Sequence, residues 1–148
     1  MPEDQQNLQI LLKAWEMCQG IAKSNGKSAW SVRSWGVGIW SALIAYAFTA
    51  KIPAIAWVAL VVVISVFVIE IAIRQIQYSY IRRSLEIEAS LNDVLVGGSV
   101  RIPEHGASTN IDTPTIRDAL DLLCIKRWLI WFPYLLLVLF TFLAKMII

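Results

Sequence analysis

Apolar positions in this chain fall into two kinds of pattern. One is periodic: Leu8, Leu11, Leu12, Trp15, Cys18 and Ala22 recur at helical spacing, with Gln6, Gln9, Lys13, Glu16 and Lys23 elsewhere around the helix. The other is continuous. Ile52 to Ile69 contains no charge at all, and as a helix it spans about 27 Å, close to the hydrocarbon thickness of a bilayer. In lipid such a run is stable only as a helix, because each backbone N–H and C=O must be satisfied within the segment. Pro53 falls in its first turn, where a missing N–H costs little.

Taken in order, an amphipathic helix is expected from about Glu3 to Lys23, with Glu3 and Asp4 suited to its positive N-terminal end. Its apolar stripe either lies on a membrane surface or packs on the chain's own cytosolic helices. Asn25-Gly26 reads as a turn that breaks the helix between Ser24 and Lys27. A first span follows over about 30–50, with an uncharged core from Ser34 to Ala50 that Arg33 lengthens by snorkelling. Ser34, Gly38, Ala42, Ala45 and Thr49 make a stripe of small residues along it, the kind of face on which membrane helices approach closely.

Lys51-Ile52-Pro53 is too short for anything but an antiparallel hairpin to a second span over about 52–73. Ile73, Ile76, Tyr80, Ile87, Leu91 and Val94 carry a helical stripe onward, so one long helix is expected from about Ala54 to Leu95, its lower half a cytosolic stalk. Gly97-Gly98 ends it. Ser99 to Ile111 reads as loop. Thr113-Pro114 reads as a helix start, Thr as N-cap and Pro at the first position. That helix carries Ile116, Leu120 and Leu123 on one face and is expected to run past Lys126-Arg127 into a third span, Trp128 to Ala144, which Pro133 kinks or breaks. The fold class is thus all-α: an integral membrane protein with three transmembrane helices, an amphipathic N-terminal helix and a helical stalk. Its segments are 1–27, the hairpin 28–73, the cytosolic 74–127 and the third span 128–148.

Composition agrees with this class. The chain is 57% hydrophobic and 16% charged over 148 residues, outside the usual soluble range in both respects. A net charge of +2 does not argue for nucleic acid by itself. About thirty mostly polar residues precede the first apolar run, so no secretory signal peptide is read. Of the 13 Lys and Arg, all but Lys51 and Lys145 fall in the N-terminal segment or between the second and third spans. The positive-inside rule then places the N-terminus in the cytoplasm and the C-terminus in the periplasm of a bacterial inner membrane. Trp30, Trp35, Trp128 and Trp131 form an inner aromatic belt, with Trp57 at the outer boundary. Cys18 and Cys124 both fall inside, where no disulfide is expected.

Candidate chemistry is sparse. No metalloprotease motif, Gly-rich phosphate loop, nucleophile elbow or metal-ligand cluster is present, so no enzyme activity and no cofactor are expected. His105 beside Glu104 reads as an exposed loop residue rather than a catalytic or pH-sensing one. Glu70, with Arg74 one turn on, has two readings. In an oligomer it gives a ring of carboxylates at the inner mouth of a pore; alone it pairs with Arg74 at headgroup level. Arg82, Arg83, Arg101, Lys126 and Arg127 flank the inner face, where they set topology, meet anionic lipid, or bind a nucleotide or oligonucleotide signal or an acidic soluble partner.

Trp15 in the first helix, the hairpin around Lys51-Ile52-Pro53 and the run Tyr80-Ile81-Arg82-Arg83-Ser84-Leu85-Glu86-Ile87-Glu88 give a layout that resembles the SLATT-type membrane effectors of bacterial anti-phage and conflict systems. The resemblance covers about two-thirds of the chain and rests on architecture; the third span departs from the two-span pattern. It implies a homo-oligomeric, pore- or channel-forming effector governed from the cytosolic side by a nucleotide-type signal or a partner protein. The alternative is a non-conducting membrane anchor that recruits a soluble partner. A transporter subunit is the third reading, and no internal repeat supports it.

Overall fold

A computed structural model of the chain describes residues 2–98, 103, 106–111 and 113–148. It is helical, with no strand among the described residues: α1 (Pro2–Ala50), α2 (Ala54–Leu95), α3 (Ile116–Leu122), a 3₁₀ turn (Ile125–Arg127) and α4 (Trp128–Ile147). Residues 1–26 with 75–114 form one compact unit, and 27–74 with 115–148 form a second.

The long second helix is found over the expected range, and its end shows why it stops. Gly97 takes a left-handed φ of 91°. Its N–H reaches the Val94 carbonyl at 3.0 Å, and the Gly98 N–H reaches that of Asp93 at 2.9 Å. This double closure satisfies carbonyls that the helix end would otherwise orphan, and it requires a residue without a Cβ at the turn. The α1–α2 connection uses a similar device with the wrong residue. Lys51 adopts φ 55° so that the Ile52 N–H can bond the Ala47 carbonyl at 3.2 Å.

Three expectations need correction. The break at Ser24–Lys27 is absent, because α1 runs unbroken through Asn25-Gly26. Gly26 serves a close approach instead: a Cβ there would lie 2.8 Å from the Gln77 amide nitrogen. The helix after the loop starts two residues later than expected. Thr115, not Thr113, is the N-cap, in a capping box with Asp118. The Asp118 side chain accepts from the Thr115 N–H at 2.9 Å and from its hydroxyl at 2.7 Å. Finally, one helix from there into the third span is not formed. The chain bends after Leu122, makes the 3₁₀ turn, and only then enters α4, which continues through Pro133.

In the first unit the α1 stripe packs on the chain itself. Leu11, Ala14 and Cys18 are buried with Ile87, and Trp15, Tyr80, Leu91 and Ala107 close around them. Leu12 stands outside this core and is exposed. Gln19 donates to the buried Ser84 hydroxyl at 3.1 Å, and that hydroxyl donates to the Ile81 carbonyl at 2.8 Å. Burial pushes the Cys18 thiol above its ordinary pKa, against the lowering influence of the Arg83 guanidinium.

Among the described residues, two helical stretches are long and apolar enough to cross a membrane: α2, and α4 together with the 3₁₀ turn before it. Only 22% of the most apolar window of each is buried within the chain. The core helix of a soluble protein would hide that surface. The 30–50 stretch of α1 does not reach the same apolar content, because Arg33, Ser34, Gly36, Gly38, Ser41 and Thr49 dilute it.

Candidate functional site: a buried charge cluster among three helices

The second unit is organised around Glu70 of α2, whose exposure is 0%. Arg33 of α1 grips it side-on, Nε donating to Oε2 at 2.9 Å and Nη2 to Oε1 at 2.7 Å. Arg74 Nε donates to Oε1 at 3.3 Å, and the Tyr134 hydroxyl of α4 donates to Oε2. Each carboxylate oxygen thus accepts two hydrogen bonds, which fills the acceptor capacity of the group. A bidentate Arg–carboxylate pair is among the strongest side-chain contacts available. It is the arrangement that makes a charge tolerable away from water.

The remaining Arg33 donors explain the proline. Pro133 has no N–H, so the Leu129 carbonyl one turn earlier loses its helical partner. Arg33 Nη1 donates to that carbonyl at 3.2 Å, and Nη2 donates to the adjacent Ile130 carbonyl at 3.1 Å. One guanidinium therefore neutralises the acid of α2 and caps the gap that proline opens in α4. The Arg33 guanidinium carbon also lies 5.6 Å from the Tyr134 ring centroid, and Phe67 packs on that ring at 4.9 Å. The Arg33 side chain is thus directed at an acid and two carbonyls of the chain itself.

Above the cluster the three helices meet through small residues. A Cβ on the buried Gly36 would lie 2.5 Å from Val66 Cγ1, so α1 and α2 approach there only because residue 36 is glycine. Ala29 and Ala47 of α1 and Ala56, Ala59 and Val63 of α2 are buried. Trp40 Nε1 donates to the Thr141 hydroxyl at 2.8 Å, joining α1 to α4. At the far end Trp57 stacks edge-on against Phe142 at 6.2 Å, and Lys145 Nζ sits 4.2 Å from the Trp57 ring centroid.

The expected small stripe behaves differently. Ser34, Gly38, Ala42, Ala45 and Thr49 are all exposed, so none of them packs the chain on itself. Ser34, Gly38 and Ala42 line a shallow apolar groove with Trp35 and Ile39. Glu70 and Arg74 are brought together, but with Arg33 and Tyr134, and enclosed within the chain rather than set on its outer face. Of the aromatic belt, Trp30, Trp35, Trp57 and Trp128 are exposed, whereas the Trp131 indole nitrogen is buried without a hydrogen-bond partner.

The basic residues are divided between the two units. Arg82 and Arg83 fall in the first unit, Lys126 and Arg127 in the second, and Arg101 lies outside the described residues, as do Glu104 and His105. Arg83 is 5% exposed and engaged throughout. Nε donates to the Ser108 carbonyl at 3.0 Å, Nη2 to the Gly106 carbonyl at 2.8 Å and Nη1 to Glu86 at 2.7 Å. It holds the loop on the helix. Arg82 and Lys126 are exposed and Arg127 is half-buried.

Sequence reasoning did not find Arg33, Tyr134, Gly36 or the Trp40–Thr141 contact as site residues. One signal for the first was present: Arg33 and Glu70 stand almost equally far from Ile52, nineteen residues before and eighteen after. An antiparallel hairpin places such positions side by side. Among the described residues, no group of three or more His, Cys, Asp or Glu is placed to hold a metal ion. No protein-family model, curated protein or solved structure matches the chain.

Proposed function

We propose that the chain is a bacterial inner-membrane protein of three spans, α1 over 30–50, α2 over 52–73 and α4, and that copies assemble into a pore- or channel-forming effector controlled from the cytosolic side. The observation that carries the assembly is the division of labour on α1. Ala29, Gly36 and Ala47 pack the chain on itself, while Ser34, Gly38, Ala42, Ala45 and Thr49 stay exposed on other faces. In lipid, helices associate through faces of this composition rather than by hydrophobic burial. The third span is supported by the charge cluster. An Arg33 paired with Glu70 and with the Pro133-freed carbonyl lets a less apolar α1 sit beside α2 and α4 without an unpaired charge.

The enclosure of Glu70 favours a second reading, a non-conducting membrane anchor for a soluble partner, because an acid saturated within one chain lines no pore. A flux assay on purified protein in liposomes, with native mass spectrometry of the oligomer, separates the two. Ion passage that falls with Gly38→Leu and Ala42→Leu, together with a changed oligomer, supports the pore. An oligomer and a flux indifferent to both changes would contradict it. A wild-type protein that conducts nothing, alone or with cytosolic extract, would leave the anchor.

A further inference from the structure

The helix α3 has three distinct sides. Leu122 is buried at 1% exposure, with Ala119 and Asp118 half-buried beside it. Arg117 and Asp121 are exposed and polar. Ile116, Leu120 and Leu123, at i, i+4 and i+7, form an exposed apolar side, Ile116 at 83% and Leu120 at 60%. The 3₁₀ turn extends this surface with Ile125 at 84% exposure, and Trp128 and Leu129, also exposed, begin α4. In water so many exposed apolar residues close together in the chain would be a liability. A helix buried along one edge, wet along another and apolar along the third fits a phase boundary.

We propose that α3 and its 3₁₀ turn lie along the membrane surface, with Ile116, Leu120, Leu123 and Ile125 in the boundary between headgroups and acyl chains. This rests on the membrane reading above. Three observations favour lipid over a protein partner. Along the chain, exposed apolar residues continue from α3 through Ile125 to Trp128 and Leu129 at the start of a candidate span. Leu123 lies five residues before Trp128, so the linking chain reaches at most about 18 Å and keeps α3 at that leaflet. At the corner before α4 the exposed Lys126 stands next to the half-buried Arg127, and these with Arg117 outnumber Asp118 and Asp121, which suits the phosphates of anionic lipid. The bend after Leu122 is then the corner at which the chain turns from lying on the bilayer to crossing it.

The test uses the full chain in phosphatidylcholine–phosphatidylglycerol vesicles, spin-labelled one site at a time in a Cys18→Ala, Cys124→Ser background. Labels are placed at Ile116, Leu120 and Leu123, at Arg117 and Asp121, and at the exposed Leu139 of α4 as a reference for lipid. At 116, 120 and 123 collisions with oxygen are expected to exceed those with a water-soluble nickel chelate, with the order reversed at 117 and 121. The unmutated chain gives a second readout. A fluorophore on the exposed Cys124, the buried Cys18 being protected, is expected to be quenched by lipids brominated near the headgroup. If 116, 120 and 123 meet water while 139 meets lipid, the proposal is overturned and the membrane reading stands. Sites at 116, 120 and 123 closed to both probes would mean that protein covers them, which also overturns it. A label at 139 in water would remove the membrane reading itself and the proposal with it.

Discussion

Two arginines, Arg83 buried and Arg33 partly buried, do the same work in the two units, and the contrast lies in what surrounds them. Arg83 ties a loop to α2 through the Gly106 and Ser108 carbonyls and pairs with Glu86. Arg33 ties α4 to α1 through the Leu129 and Ile130 carbonyls and pairs with Glu70. The side chain of Glu86 is 45% exposed, whereas that of Glu70 is sealed. An acid that water reaches needs only one partner. An acid that water does not reach has every acceptor site filled, by Arg33 twice, by Arg74 and by Tyr134. The same residue type is therefore a fastening in one unit and a condition of assembly in the other.

That contrast breaks most visibly at Glu70. Glu70→Ala leaves two guanidinium groups without their acid and is expected to cost about 3–5 kcal/mol, read as the stability of the detergent-solubilised chain to added denaturing detergent. Arg83→Met removes charged hydrogen bonds worth about 1.5–3 kcal/mol. It is expected to open the 106–111 segment to limited proteolysis while leaving the 27–74 and 115–148 unit folded. If Arg83→Met proved as damaging to that unit as Glu70→Ala, the two arginines would not be separable.

A second pair sharpens the comparison on one helix. Gly36→Leu forces a side chain into Val66 and is expected to destabilise the hairpin by about 1–3 kcal/mol. Gly38→Leu, with nothing within 4 Å of its added Cβ, is expected to leave the monomer as it was and to act only on the proposed assembly. Thermal unfolding in detergent under monomer conditions checks the first, and the oligomer's mass checks the second. The smallest effect is a gain. Lys51→Gly relieves a left-handed backbone and is expected to stabilise the hairpin by about 1 kcal/mol, visible as a modest rise in melting temperature.

How much of this was legible follows from the range of the signals. The long helix Ala54–Leu95 was readable because its stripe, its length and its Gly97-Gly98 stop all agree. The turn at Lys51-Ile52-Pro53 was readable because no longer connection exists. Asn25-Gly26 misled because a dipeptide carries no information about a neighbouring helix, and it is Gln77 that gives Gly26 its place. Thr113 and Thr115 both precede a helical pattern. Only Asp118, three residues after Thr115, distinguishes them by completing a capping box. The cluster was hidden for a different reason. Glu70 announces a cost, but its partners come from positions 33 and 134, and only the packing of three helices joins them.

Arg33 and Glu70 act as one unit where α1, α2 and α4 meet. A double-mutant cycle tests it most directly, using unfolding free energies of the wild type, Arg33→Gln, Glu70→Gln and the double variant in the same lipid–detergent micelles. The account predicts strong coupling: each single change is costly, and the double change costs less than their sum by about 2 kcal/mol or more. Additive single effects would contradict it, because Arg33 and Glu70 would then stand in the protein as independent charges.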